Sequence, residues 1–521
     1  MNRTLRRTTL LTALLLLLAM LAPAPGFAKP VWRPALGVGP AYASAYVGTV
    51  DVDSSGNAVA LFPAGETAQR MQASFRRAGG HWSTPSPISL EGANAPHVVM
   101  DDKGRVTAIW MRPNGGIQQD VEVATKTRSG DWTTPVPLSS GSPLMAEPNL
   151  VLAPGGTVVA AWTRFDSGAW HTTTAVRPPG GTFGPATNLS DGSESAPGFV
   201  DLAVDSHGNV TAVWSRDIGP YNVIESRTRS TAGVWSSLDT LSVLGQDAYA
   251  ASVASLPGGT TTAVWARFDG THYVAQASTR NGPGGEWTIP KNLSTAVDVD
   301  STDVAGGHGR TVAVWAGTPD GSPHVVQSAT RAPNGTWSTA VPISNPVQNA
   351  LNPSVVTDPN GNATAVWKRF NGSVDVAQGA VQPAGGAFKP AVNLSAADRN
   401  AYPPFVAVDA AGDAVAFWVD AGDVSLQARS AAFDRAGPAI SVLKVPRTTK
   451  RGARTTFSVT AKDTWSRIRS YEWRFGDGSH ASGRQVRHTY ARAGSFRVTL
   501  VITDKVGNKT TRIRTVRVTR R

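Results

Sequence analysis

The sequence predicts an all-β chain: an eight-bladed β-propeller of four-stranded blades, with seven blades as the alternative, followed by a second, smaller β domain. Three observations carry this. First, a unit typified by Asp358 to Phe370 (D-P-N-G-N-A-T-A-V-W-K-R-F) recurs along the chain. It places Phe62, Trp110, Trp162, Trp214, Trp265, Trp315, Trp367 and Trp418 at steps of 48, 52, 52, 51, 50, 52 and 51 residues, and a fixed period of that size marks a solenoid, a propeller or an array. Second, short β-rich runs alternate with Gly, Pro, Asn and Asp clusters, and no window beyond the N-terminus keeps a 3.6-residue apolar period. Third, the outermost strand of the unit is missing after Trp418 and stands instead at the front, where Trp32-Arg33-Pro34-Ala35 matches Phe183-Gly184-Pro185-Ala186. A ring that closes on itself needs that arrangement, and closure removes exposed strand edges.

In chain order, residues 1–28 read as a secretory signal peptide: basic Arg3, Arg6 and Arg7, an apolar run from Leu10 to Leu21, and small residues around Gly26-Phe27-Ala28. The apolar run is short for a membrane span. Residues 29–436 form the propeller and 437–521 the second domain. In the second unit, Pro96 to Met100, Val106 to Met111, Val121 to Arg128 and Trp132 to Ser139 are the expected strands, with the Asp101-Asp102-Lys103-Gly104 turn between the first two. The body resembles secreted bacterial β-propeller repeat proteins. Cysteine is absent, which excludes a disulfide framework, a thiolate metal site, a Cys nucleophile and a lipoprotein anchor. The net charge of +12 is uneven, because residues 437–521 hold 20 Lys+Arg against 4 Asp+Glu, whereas 29–436 hold 26 against 33. A mildly acidic body thus carries a strongly basic C-terminal module.

Within the body, one large aromatic per unit at a fixed position reads as packing between neighbouring sheets. Two residues later the chain repeats Arg112, Arg164, Arg216, Arg267 and Arg369; these read as rim residues, with a ring of anion-binding cations as the functional reading. Trp170, beside His171, lies off both aromatic repeats and is a candidate ligand platform. Asp51 with Asp53, and Asp298 with Asp300 and Asp303, are the acid clusters that would suit calcium, a hard cation wanting several oxygens; no other cofactor is expected. Asn188, Asn292 and Asn393 sit in N-L-S triplets at one repeat position and read as a recurring turn.

In the last 85 residues Tyr471-Glu472-Trp473-Arg474-Phe475-Gly476-Asp477-Gly478 is followed by His488-Thr489-Tyr490 and then by Gly494 to Asp504. These W-x-F-G-D-G, H-x-Y and G-x-F-x-V-x-L-x-I-x-D elements resemble the PKD domain, an immunoglobulin-like β-sandwich. The resemblance implies an extracellular interaction or spacer module, with Trp473, Asp477 and Tyr490 in structural roles. Alternation of Phe496, Val498, Leu500 and Ile502 with Ser495, Arg497 and Thr499 independently predicts one buried and one wet strand face. Arg497, Arg512 and Arg514 are read as outward positions forming a basic stripe for an anionic envelope polymer or nucleic acid.

Motifs for zinc, nucleotide or acyl chemistry are missing. Sialidase repeats carry S-x-D-x-G-x-x-x-W, whereas here the turn is D-x-x-G with a longer gap, as from Asp205-Ser206-His207-Gly208 to Trp214. The expectation is therefore a secreted or cell-surface binding or scaffold protein whose partner is an envelope or matrix polysaccharide or a surface protein. The alternative is a carbohydrate-active enzyme, sialidase-like or another glycoside hydrolase or lyase, with paired acids in the propeller mouth. A hydrolase should show converging carboxylates with shifted pKa in an axial cavity, and a binding module none.

Overall fold

The computed structural model describes residues 31–520, apart from 144–145, 194–197, 296, 320–321 and 423–424; the signal-peptide segment 1–28 lies outside the described residues. Among them every regular element is a strand, and no helix is long and apolar enough to cross a membrane.

The Asp358 unit shows how each blade is made. Asp358 Oδ1 accepts the amides of Asn360 and Asn362, both at 2.9 Å, and Oδ2 accepts Asn362 Nδ2 at 2.6 Å. Gly361 completes the turn at φ +80°, a conformation costly for any residue with a Cβ. This turn joins the innermost strand Ala350–Thr357 to Ala363–Phe370, after which Asp375–Gln382 and Val392–Asn393 finish the blade. Asn362 Oδ1 also accepts the Ala384 amide at 2.9 Å, tying the first turn to the last one of the same blade. Asp53 with Asn57 and Asp205 with Asn209 repeat the clip.

Eight such sheets form the ring, rather than seven. The eighth holds Phe405–Val408, Ala414–Ala421 and Leu426–Asp434, and its outer edge is completed from the N-terminus: Val31 pairs with Asp434, Trp32 with Phe433 and Leu36 with Ser430. Innermost strands adjoin their neighbours all the way round, including Phe405–Val408 against Thr49–Val52. The core lies between sheets, where Phe62, Trp110, Trp162, Trp214, Trp265, Trp315, Trp367 and Trp418 are all fully buried. Burying one such ring contributes a few kcal/mol, roughly in proportion to the apolar area removed from water.

Two local expectations are corrected. Trp132 precedes the outer strand Val136–Pro143 and meets its neighbour through an isolated bridge to Lys126, since Pro135 interrupts the ladder. Asn188, Asn292 and Asn393 lie in two-residue outermost strands, paired with Thr173, Gln276 and Gln378, rather than in turns.

The C-terminal unit is a sandwich of a three-stranded sheet and a five-stranded sheet. Val498, Leu500 and Ile502 are buried with Trp473, Phe457 and Tyr490. Trp473 Nε1 donates to the Gly483 carbonyl at 3.0 Å and the Tyr490 hydroxyl to that of Phe475 at 3.2 Å. Asp477 is a turn residue, accepting the Ser479 amide at 3.0 Å and lying 2.7 Å from His488 Nε2.

Candidate functional site

The innermost strands line an axial channel. Thr49, His97, Asn149, Asp201, Ser252, Asp303, Ser354 and Phe405 each pair with the residue just before the core aromatic of their blade, so the eight form one ring facing the axis. The cavity there measures about 880 Å³. Its mouth is shaped by breaks in register at Asn94/His97, Tyr249/Ser252 and Leu351/Ser354, where Ala95, Ala250 and Asn352 adopt φ of 48°, 53° and 52°. Bulges of this kind re-aim side chains, and positive φ outside glycine is strained.

Three carboxylates line the channel, Glu147, Asp201 and Asp303, and burial raises the pKa of Glu147. Asp201 accepts Asn149 Nδ2 at 3.0 Å and the Val253 amide of the next blade at 2.8 Å. Asp303 accepts the Ser252 hydroxyl at 3.3 Å and the Val355 amide of its next blade at 2.7 Å. Burial pushes Asp303 up to about 7 against the pull of the Val355 amide, and the charge of Asp201 adds to the rise; burial raises Asp201 too. His97 is pushed down to about 4 by burial. Carboxylates with raised pKa in the axial cavity are the feature expected of a hydrolase and not of a binding module, but Asp201 and Asp303 are each already bonded to the backbone of the adjacent blade.

The other sequence candidates fall elsewhere. Arg112 and Arg216 point into their own blades, donating to Glu122 at 2.7 Å and to Glu225 at 2.7 and 2.9 Å. The same two glutamates accept Trp110 Nε1 at 2.9 Å and Trp214 Nε1 at 3.1 Å. Arg164 pairs with Asp166 at 3.0 Å, and Arg267 and Arg369 meet Gln246 and Gln348. Trp170 is half-buried, packed edge-on against Phe165 at 5.5 Å. The five expected metal ligands disperse. Asp51 accepts the Met100 amide at 2.6 Å across blades, while Asp53 caps its own turn. Asp298 accepts the Tyr273 amide at 3.0 Å, and Asp300 lies 3.0 Å from His324 Nε2. Arg497, Arg512 and Arg514 are exposed, yet they do not make one outward stripe. Arg512 and Arg514 pair with Leu500 and Val498 and so share the inner face of the sheet at its open end, whereas Arg497 pairs with Thr515 on the outer face.

A separate acid group forms at the domain junction. Ligand oxygens of Asp434, Asp463 and Asp504 lie within 4.8 Å of one another, the one such group among the described residues and a set a hard cation would suit. Asp434 ends the last propeller strand; Asp463 and Asp504 come from the sandwich. Asn508 Nδ2 bridges Asp434 Oδ1 and Asp504 Oδ2, both at 2.9 Å. Arg33, from the closing segment, stands 3.8 Å from Asp434 Oδ2 but is itself 40% exposed. Beside the group, Trp465 of the sandwich packs into blade one, its ring 4.4 Å from the buried Arg76 guanidinium, which also lies 4.9 Å from the Trp82 ring.

Residues 435–519 match the family model described as PKD domain. The C-terminal unit is a PKD domain. Among solved structures, the PKD1 domain of the Vibrio cholerae metalloprotease PrtV is 32% identical, covering 16% of this chain and 96% of its own, with a TM-score of 0.14. The β-propeller domain of the Trilobed protease from Pyrococcus furiosus is 10% identical over 68% of this chain and 99% of its own, with a TM-score of 0.41. The polysaccharide lyase Uly1 is 9% identical over 69% of this chain and 92% of its own, with a TM-score of 0.45.

The PKD junction should respond to pH. Burial and then the charges of Asp463, Asp413 and Asp504 push Asp434 up to about 7, and burial with Asp409 and Asp463 does the same to Asp413. These groups keep protons in the folded junction that the unfolded chain releases near pH 4, so stability falls as pH rises through that interval. Limited proteolysis at 435–438 should accelerate from pH 5 to pH 8. Equal cleavage rates at both pH values would show that these carboxyls do not govern docking.

Proposed function

We propose that the chain is a secreted, non-catalytic binding or scaffold protein, with the propeller presenting a ligand face and the basic PKD domain contacting an anionic envelope or matrix polysaccharide. The observation that carries this reading is the engagement of two of the three channel carboxylates with the backbone of the next blade: Asp201 with the Val253 amide and Asp303 with the Val355 amide. Groups held that way brace neighbouring blades. Exposed Arg512 and Arg514 on one face of the sheet and Arg497 on the other supply positive charge for the polymer. Secretion is part of the proposal and rests on the composition of residues 1–28.

A second reading, a carbohydrate-active enzyme, draws on Asp303, whose pKa of about 7 beside Asp201 suits a general acid. One experiment addresses both. The full chain is sedimented with an acidic polysaccharide at low and high salt, beside the variant Arg497→Glu/Arg512→Glu/Arg514→Glu, and the supernatant is assayed for released oligosaccharide. Binding that high salt and the triple variant both weaken, with no release, is expected. Release that disappears in Asp303→Asn would replace the binding reading with the enzymatic one. Absence of binding even at low salt would overturn the polymer contact.

A further inference from the structure

Blades two and four show what the repeated arginine is built to hold. There Arg112 and Arg216 each donate through Nε to a glutamate, at 2.7 and 2.9 Å, while that glutamate's other oxygen takes the core Trp indole. Blade seven keeps the arginine and the shape of its partner but removes the charge. Gln378 Oε1 accepts Trp367 Nε1 at 3.0 Å, so its amide nitrogen stands where the second carboxylate oxygen of Glu122 would be, and that nitrogen donates to Asn393 Oδ1 at 3.0 Å. Arg369 Nε is buried without an acceptor, and the residue is 8% exposed. Its remaining partners are neutral: Gln348 Oε1, and the Phe370 carbonyl and Asn393 Oδ1, each at 3.4 Å. Burial lowers its pKa, whereas Glu225 raises that of Arg216.

Blade five repeats this residue set, except that Trp265 Nε1 and Gln276 Oε1 do not bond to each other and both are buried without a partner. Arg267 Nη1 donates to Gln246 at 2.7 Å, Gln276 Nε2 donates to Asn292 at 2.9 Å, and Arg267 Nε again is buried without an acceptor. The Gln–Arg–Gln–Asn set thus occurs twice, in the two blades that keep this arginine with no carboxylate on it. In blade seven it borders a cavity of about 380 Å³, whose wall also includes Ser344, Asn345 and Ile343. A guanidinium taken out of water without a counter-ion is costly, and a carboxylate offers it planar, two-oxygen acceptance.

We propose that the blade-seven pocket, and the matching residue set in blade five, bind the carboxylate of a hydroxylated ligand such as a uronic acid, which brings to Arg369 and Arg267 the negative charge that Glu122 and Glu225 supply in blades two and four. The guanidinium holds the carboxylate, and the side-chain amides of Asn345, Gln348 and Gln378 are placed for hydroxyls. This site is separate from the axial channel, so it stands or falls apart from the function proposed above.

Calorimetric titration of the full chain with sodium glucuronate, with glucose as neutral control and a glucuronate oligosaccharide as polymer mimic, tests it. Glucuronate should bind at two sites and glucose at neither. Gln378→Glu supplies the missing carboxylate from within, in a geometry that blades two and four already hold folded, and should weaken one site at least tenfold; Gln276→Glu should do the same to the other. Arg369→Gln should match Gln378→Glu, which keeps the test open if either variant unfolds. Tighter binding of the oligosaccharide would identify a polymer as the source of the carboxylate, and equal binding a small free acid. No glucuronate binding beyond that of glucose, or two intact sites in the Gln276→Glu/Gln378→Glu double variant, overturns the proposal.

Discussion

Replacing Trp214 with alanine should destabilise the propeller by about 3–5 kcal/mol, the range for emptying a buried aromatic site. Trp214 is fully buried between blades, so the cavity has rigid walls on both sides. The loss has a second component. Glu225 is 1% exposed and accepts the Trp214 indole on one oxygen and Arg216 on the other. Without the indole, a buried carboxylate oxygen loses its donor, which adds a desolvation penalty. Trp367→Ala, which exposes only the neutral Gln378, should cost less than Trp214→Ala despite an equally buried ring. Urea unfolding monitored by circular dichroism reads both. A shift under 1 kcal/mol for either would refute the packing role of the repeated aromatic and return it to the pool of ligand platforms.

Removing residues 31–38 should open the ring. The third strand of blade eight, Leu426–Asp434, would lose the pairings to Val31, Trp32, Leu36 and Gly37, and with them the Arg33 amide bond to Ala432 at 2.7 Å and the Val38 amide bond to Ala428 at 2.9 Å. Phe433 would lose the Trp32 ring 5.3 Å away. An unpaired edge invites pairing with another chain. The shortened protein should melt at lower temperature and elute as dimers or larger species, measured by scanning calorimetry and by light scattering on the column. A monomer with the parent melting temperature would mean that the N-terminal strand contributes nothing to closure.

The parts legible in the sequence were those where one residue type repeats at one position. Tryptophan at a spacing near 51 announces the blades, and Trp32-Arg33-Pro34-Ala35 announces the closing strand because it copies a motif missing at the other end. The same period also runs through the channel ring, from Asp201 to Ser252, Asp303 and Ser354 at steps of 51. It escapes notice because changing side chains occupy that position and bulges shift the strand against its turn. Glu122, Glu225, Gln276 and Gln378 were hidden in a similar way. They sit opposite the core tryptophan on the following strand, and only the pairing register brings them there. Local acid clusters misled for the converse reason. Asp51 and Asp53 are close in sequence, yet one bonds to the next blade and the other to its own turn. Asp434, Asp463 and Asp504, far apart in the chain, are the acids that meet.

Closure by the first strand also sets an order in time. Val31 and Trp32 are among the first described residues to be synthesised, but their partners Asp434 and Phe433 come about four hundred residues later. Contacts of such long sequence separation form late, after shorter loops have closed. Seven blades can therefore assemble one by one as the chain emerges, while the eighth waits for both of its ends. Trp465 of the PKD domain then packs against blade one, so a domain made after the ring covers a surface belonging to its first blade. A truncated product ending before residue 434 would keep its open edges, and only a chain completed through the eighth blade presents a sealed ring to whatever degrades or retains unfinished protein.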